Sequence, residues 1–66
     1  MTYESACWTL SRRQRNVWLC RQAGWPYWEI ADWCGISPEC ARVHAHHARK
    51  RMRALGYEHE PAAQVS

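Results

Sequence analysis

The 66-residue sequence contains no phenylalanine, only three glycines and three prolines, and no apolar run near the ~20 residues of a membrane span. A membrane-spanning helix is therefore not expected. The opening residues MTYESACWT lack both a basic stretch and an apolar stretch, so no secretory signal is read and a cytoplasmic location is expected. No CxxC pair occurs, and Cys7, Cys20, Cys34 and Cys40 are separated by 13, 14 and 6 positions, a pattern of no common zinc module. Reduced, small apolar side chains are the expectation for these thiols, with no metal and no cofactor. No glycine-rich phosphate loop and no paired carboxylates appear. His44, His46 and His47 are spread around a helix rather than gathered toward a pocket, so catalysis is not expected.

What is present is charge in blocks and indole in quantity. The net charge is only +3, but Arg12, Arg13, Arg15 and Arg21 form one cationic group, and Arg42, Arg49, Lys50, Arg51 and Arg53 form a second. Most acidic residues lie between or after these blocks, a segregation that suits a phosphate-facing surface. Five tryptophans stand where phenylalanine is missing. Large rings against small residues can fill a small core; Trp18, with Trp8 or Trp33, is expected in that role. Trp25 and Trp28 are harder to bury, because Tyr27, Ile30 and Ala31 already define an inner face. At least one of the two is expected to face solvent, and both are candidate protein-partner residues.

Local signals divide the chain into a lead-in (1–9), a folded unit (10–55) and a tail (56–66). Ser11 followed three positions later by Gln14 is a helix-start signature, and Ala23-Gly24 closes that helix. Trp25-Pro26 opens a short helix running to about Cys34, with Pro26 expected in its first turn. Gly35 breaks it, Ile36 anchors the turn, Ser37 caps and Pro38 takes the first position of a long helix. Ala41, Ala45, Ala48, Met52 and Leu55 recur at spacings of 4, 3, 4 and 3, an apolar stripe on that helix. Its other side carries Glu39, Arg42, His46, Arg49 and Arg53. The expected fold is all-α: a small three-helix domain in which the last two helices form a helix-turn-helix, one helix free to enter the major groove of DNA.

These residues also carry a family resemblance. Leu10-Ser11-x-Arg13-Gln14-Arg15-x-Val17, Ala23-Gly24-x-x-Tyr27-x-Glu29-Ile30-Ala31, Gly35-Ile36-Ser37, Arg42-Val43-His44 and Ala48-Arg49-Lys50-Arg51 together resemble region 4 of bacterial sigma factors. The small extracytoplasmic-function type is the nearest in pattern. The output domain of LuxR-type regulators is similar too, including His44; the run Ala48 to Arg51 favours the sigma version. The resemblance spans residues 10 to about 55. It implies a helix that reads the promoter minus-35 element and a surface that meets the flap of RNA polymerase. Carried over by position, Pro38, Glu39, Arg42 and His46 would lie at the groove, and Arg49, Lys50 and Arg53 toward the backbone. Several positions depart from that pattern. Cys40, Ala41 and Ala45 stand where Thr, Val and Leu are usual, Cys34 replaces a Leu, His47 an Arg, and Pro26 a Ser or Thr cap. The 66 residues contain no counterpart of sigma region 2, so a complete sigma factor is not expected.

The leading expectation is a small transcriptional regulator binding double-stranded DNA, alone, as a homodimer, or beside RNA polymerase. The alternative is an adaptor of phage or plasmid type that contacts RNA polymerase or a sigma factor through its tryptophans.

Overall fold

A computed structural model describes residues 1–57 of the chain. Four α-helices follow one another: α1 Tyr3–Trp8, α2 Arg12–Gln22, α3 Tyr27–Cys34 and α4 Pro38–Ala54. The all-α expectation is met, with one helix more than the three read from the sequence.

Each helix begins where a short oxygen-bearing side chain or a proline stops the backbone from extending it backwards. Thr2, Ser11 and Ser37 have extended backbones, and their side chains accept hydrogen bonds from the N–H groups of Ser5, Gln14 and Cys40 at 3.1, 3.2 and 3.1 Å. Each bond satisfies one of the donors that a helix leaves unpaired at its start. Pro26 sits one position earlier than expected: it is the cap of α3, not part of its first turn, and it supplies no side-chain bond. Gly35 ends α3 in the left-handed region at φ 72°, where a side chain would be strained. Its turn lets the Ile36 N–H reach back to the Ala31 carbonyl at 2.9 Å, which seats Ile36 against the core. Equivalent bonds bring Trp25 back to Cys20 at 3.0 Å and Tyr57 back to Met52 at 2.7 Å.

The core has two parts, threaded by one stripe. Ala6, Cys7, Leu10, Trp18, Ala48 and Met52 form the first, flanked by Tyr3, Leu55 and Tyr57. Val17, Ile30, Ala31, Ala41 and Ala45 form the second, flanked by Cys20, Trp25, Tyr27, Cys34 and Ile36. The α4 stripe enters both, as its spacing requires. Its alanines leave room for the bulk of α2 to approach, and Trp18 occupies that room at 2% exposure. Burial of its ring does not strand the indole N–H, which donates to the Tyr3 hydroxyl at 2.8 Å.

Three expectations fail here. Residues 1–9 are not a loose lead-in: α1 places Ala6 and Cys7 in the core, and Arg51 Nε donates to Thr9 Oγ1 at 3.3 Å. A helix of six residues is too short to show a period, and its buried side chains are small, so nothing in the sequence announced it. Trp8 and Trp33 do not fill the core; they are 67% and 61% exposed. Trp8 ends α1 on its outer side, under the Arg15 guanidinium at 4.2 Å, while Trp33 lies on the outer side of α3. The tail does not begin at residue 56. Tyr57 packs edge-on against Tyr3 at 5.7 Å and its hydroxyl donates to the Met1 carbonyl, so the two ends of the domain hold each other. The rest of the expected tail, 58–66, lies outside the described residues.

A candidate nucleic-acid interface

The long helix α4 is amphipathic in the simplest sense. Ala41, Ala45, Ala48 and Met52 are buried, and Pro38, Glu39, Arg42, His46, Arg49, Lys50 and Arg53 are all exposed. Every residue expected to meet DNA therefore reaches solvent, and all come from one helix. They do not form a single cluster. His46, Arg49, Lys50 and Arg53 line one open depression of about 320 Å³. Pro38 and Glu39 lie at the opposite end of the helix; fifteen residues at 1.5 Å each separate Pro38 from Arg53 by about 22 Å. The helix thus carries Pro38, Glu39 and Arg42 in its N-terminal half and a cationic group, Arg49, Lys50 and Arg53, in its C-terminal half.

Arg42 is the best placed of the N-terminal side chains. Its guanidinium stands over the Tyr27 ring at 5.5 Å, and Arg21 covers the same ring at 4.4 Å. Arg21 is itself held by a hydrogen bond to the Trp25 carbonyl at 2.8 Å. The negative face of an aromatic ring attracts a cation, so Tyr27 restrains the position of Arg42 before any ligand arrives. In the sequence, Tyr27 reads as a core residue and Arg21 as part of a charge block. Their pairing follows from the packing of α2, α3 and α4 and has no local signal. Val43 lies on the exposed side as well. It is 53% exposed, and positions 39, 42, 43 and 46 share a side of the helix, so the spacing alone could have revealed it.

A second basic region opens between α2 and α3, where Arg12, Arg13, Asn16, Trp33 and Cys34 line a cleft of about 600 Å³. Of the two partner candidates, Trp28 is 66% exposed on α3, whereas Trp25 is half-buried against the second core cluster and meets Trp33 edge-on at 6.0 Å.

Among the described residues, no three His, Cys, Asp or Glu side chains lie together as a metal site. The cysteines are free: Cys7 is buried, Cys20 and Cys34 are half-buried and Cys40 is exposed. Burial pushes the Cys20 thiol above its ordinary pKa, and nearby Cys34 and Glu29 push it the same way. The thiolate is the reactive form and Cys40 is the more exposed, so an alkylating reagent at pH 8 is expected to modify Cys40 faster than Cys20. Mass spectrometry of timed quenches reads the two rates, and equal rates would contradict this environment for Cys20. The sign also fixes a pH effect on folding. An acid whose folded pKa is raised keeps its proton while the unfolded chain loses it, so this thiol's contribution to stability falls as pH rises through the ordinary thiol range.

A short helix, a glycine turn and a long helix with an outward cationic face define a DNA-binding helix-turn-helix domain of the kind used in transcription regulation. Residues 8–57 match the GerE family model, bacterial regulatory proteins of the luxR family, and the chain belongs to that family. The match falls on the second of the two resemblances seen in the sequence. It starts at Trp8, so α1 lies almost wholly ahead of it. No curated protein and no solved structure matches the chain. Among the described residues, no helix is long and apolar enough to cross a membrane.

Proposed function

We propose that α4 enters the major groove of double-stranded DNA by its N-terminal half and rests on the sugar-phosphate backbone by its C-terminal half. The observation that carries this reading is the exposure of all seven candidate residues within about one third of the circumference of α4, beside the buried stripe. Arg42 and Glu39 would read base edges, since a guanidinium can bond guanine twice and a carboxylate can accept from cytosine. Pro38 and His46 would border them, and Val43 could meet a thymine methyl. Arg49, Lys50 and Arg53 would neutralise phosphates. Arg12 and Arg13 would add positive potential from α2. The resemblance of residues 10–55 to sigma region 4 supports action beside RNA polymerase at a promoter. One module of this size covers about 600–1,000 Å² of protein surface on DNA, so tight binding would need a second copy or a neighbouring protein.

The roles of the two halves separate by mutation. Arg42→Ala is expected to weaken the preferred site by about 1–3 kcal/mol while leaving random duplex almost unchanged. Fluorescence anisotropy against both duplexes reads the difference. Equal losses on the two would remove Arg42 as a reader and leave it a phosphate contact.

A further inference from the structure

The outer side of α3 brings two exposed indoles and two carboxylates onto one short helix. Trp28, Glu29, Asp32 and Trp33 are all exposed, the two rings at 66% and 61%. Trp28 and Asp32 are four positions apart, as are Glu29 and Trp33, so acid and indole alternate across adjacent turns of one helix. Glu29 and Asp32, three positions apart, repel each other, and neither forms an ion pair with another described residue. The fold therefore carries two large exposed rings and two carboxylates on the same eight-residue helix, Glu29 in its first turn and Trp33 at the edge of the cleft that Arg12 and Arg13 line.

The chemistry of this face selects its partner. DNA is disfavoured, because phosphates would meet two carboxylates. An apolar partner is disfavoured, because closing over Glu29 and Asp32 would bury charges with nothing to pair them. A cationic side chain satisfies both features at once: it pairs with a carboxylate and lies on an indole face. Arginine does this better than lysine, since its flat guanidinium can stack and donate two parallel hydrogen bonds. We propose that the Trp28–Glu29–Asp32–Trp33 face docks an arginine-bearing segment of another protein. The face shares none of the seven candidate residues of α4. The inference does not depend on the DNA reading, and either can fail alone.

The test uses the full chain, ¹⁵N-labelled, at about 150 mM salt to suppress diffuse electrostatics. The probe is an acetylated, amidated nine-residue peptide carrying four arginines among alanines, with its lysine and glutamate counterparts as comparisons. The indole N–H signals of Trp28 and Trp33 are expected to shift with the arginine peptide, less with lysine, and not with glutamate. Because the protein is cationic overall, general attraction works against this result. Glu29→Gln with Asp32→Asn should weaken binding at least about fivefold, as should Trp28→Ala; Glu4→Gln should not. All these side chains are exposed, and an unchanged circular dichroism spectrum verifies that each variant folds. Absence of indole shifts at 2 mM arginine peptide, equal binding of the glutamate peptide, or undiminished binding by the carboxamide variant would each overturn the proposal. So would a dimer of the free protein that Trp28→Ala dissolves, because the face would then belong to a second copy.

Discussion

Trp18→Ala is expected to leave most of the protein unfolded at 25 °C. The ring is 2% exposed and sits in the first core cluster with Ala6, Cys7, Leu10, Ala48 and Met52. Removing a buried ring of this size costs about 3–5 kcal/mol, through lost transfer energy and the cavity left behind. A domain below about 70 residues commonly holds only about 3–5 kcal/mol in total. The loss is comparable with the whole stability. Two of the neighbours are alanines, whose side chains have no rotamer that could move into the vacated space. The hydrogen bond from the indole to the Tyr3 hydroxyl at 2.8 Å disappears as well, which loosens α1 from α2. Trp18→Phe retains most of the ring and loses that bond, so a drop of about 1–2 kcal/mol is expected, or roughly 4–16 °C in Tm. Helical circular dichroism against temperature and urea measures both variants. A Trp18→Ala protein melting within a few degrees of the parent would show that the alanine stripe does not depend on this ring.

The second large effect is expected in solution rather than in the fold. About four phosphate contacts, from Arg49, Lys50, Arg53 and one further cation, give a salt slope near −3.6. Affinity for duplex DNA should then fall about 100-fold between roughly 50 and 200 mM salt. Arg49→Ala should weaken every sequence alike and reduce the slope by about one. These magnitudes separate the proposed DNA interface from the α3 face, where hydrophobic rings contribute and the salt dependence is shallower. Affinity that hardly changes over this range would mean that phosphates are not the main contacts of α4.

Legibility followed the physics of each element. The α4 stripe was visible because seventeen residues give room for a period, and its burial in the structure is the one the spacing demanded. Ser11, Ser37, Gly24 and Gly35 were visible because caps and left-handed turns are set by single residues. The exposed cationic face of α4 was legible as the complement of the stripe. By contrast, α1 is six residues long with alanine and cysteine as its buried pair, too little for a pattern. The tryptophans were ambiguous for another reason. Ring size favours burial, but which ring is buried depends on where the alanines of α4 leave space; Trp18 fills it in the first cluster, and Trp25 only flanks the second. The Arg21–Tyr27–Arg42 arrangement joins three helices, and no window of sequence contains it. The acidic and aromatic face of α3 is half visible in the sequence: one of Trp25 and Trp28 is expected outside, but Trp33 is, with Trp8, one of two candidates for the core, which hides the alternation with Glu29 and Asp32.

The central claim is that the outward side of α4 binds DNA. A ¹⁵N–¹H titration with a mixed-sequence duplex at low salt tests it most directly. Shifts concentrated on Glu39, Arg42, Val43, His46 and Arg49, with Glu29 and Asp32 unmoved, are the predicted result. A folded spectrum that shows no shifts on α4, or shifts confined to α3, would contradict it.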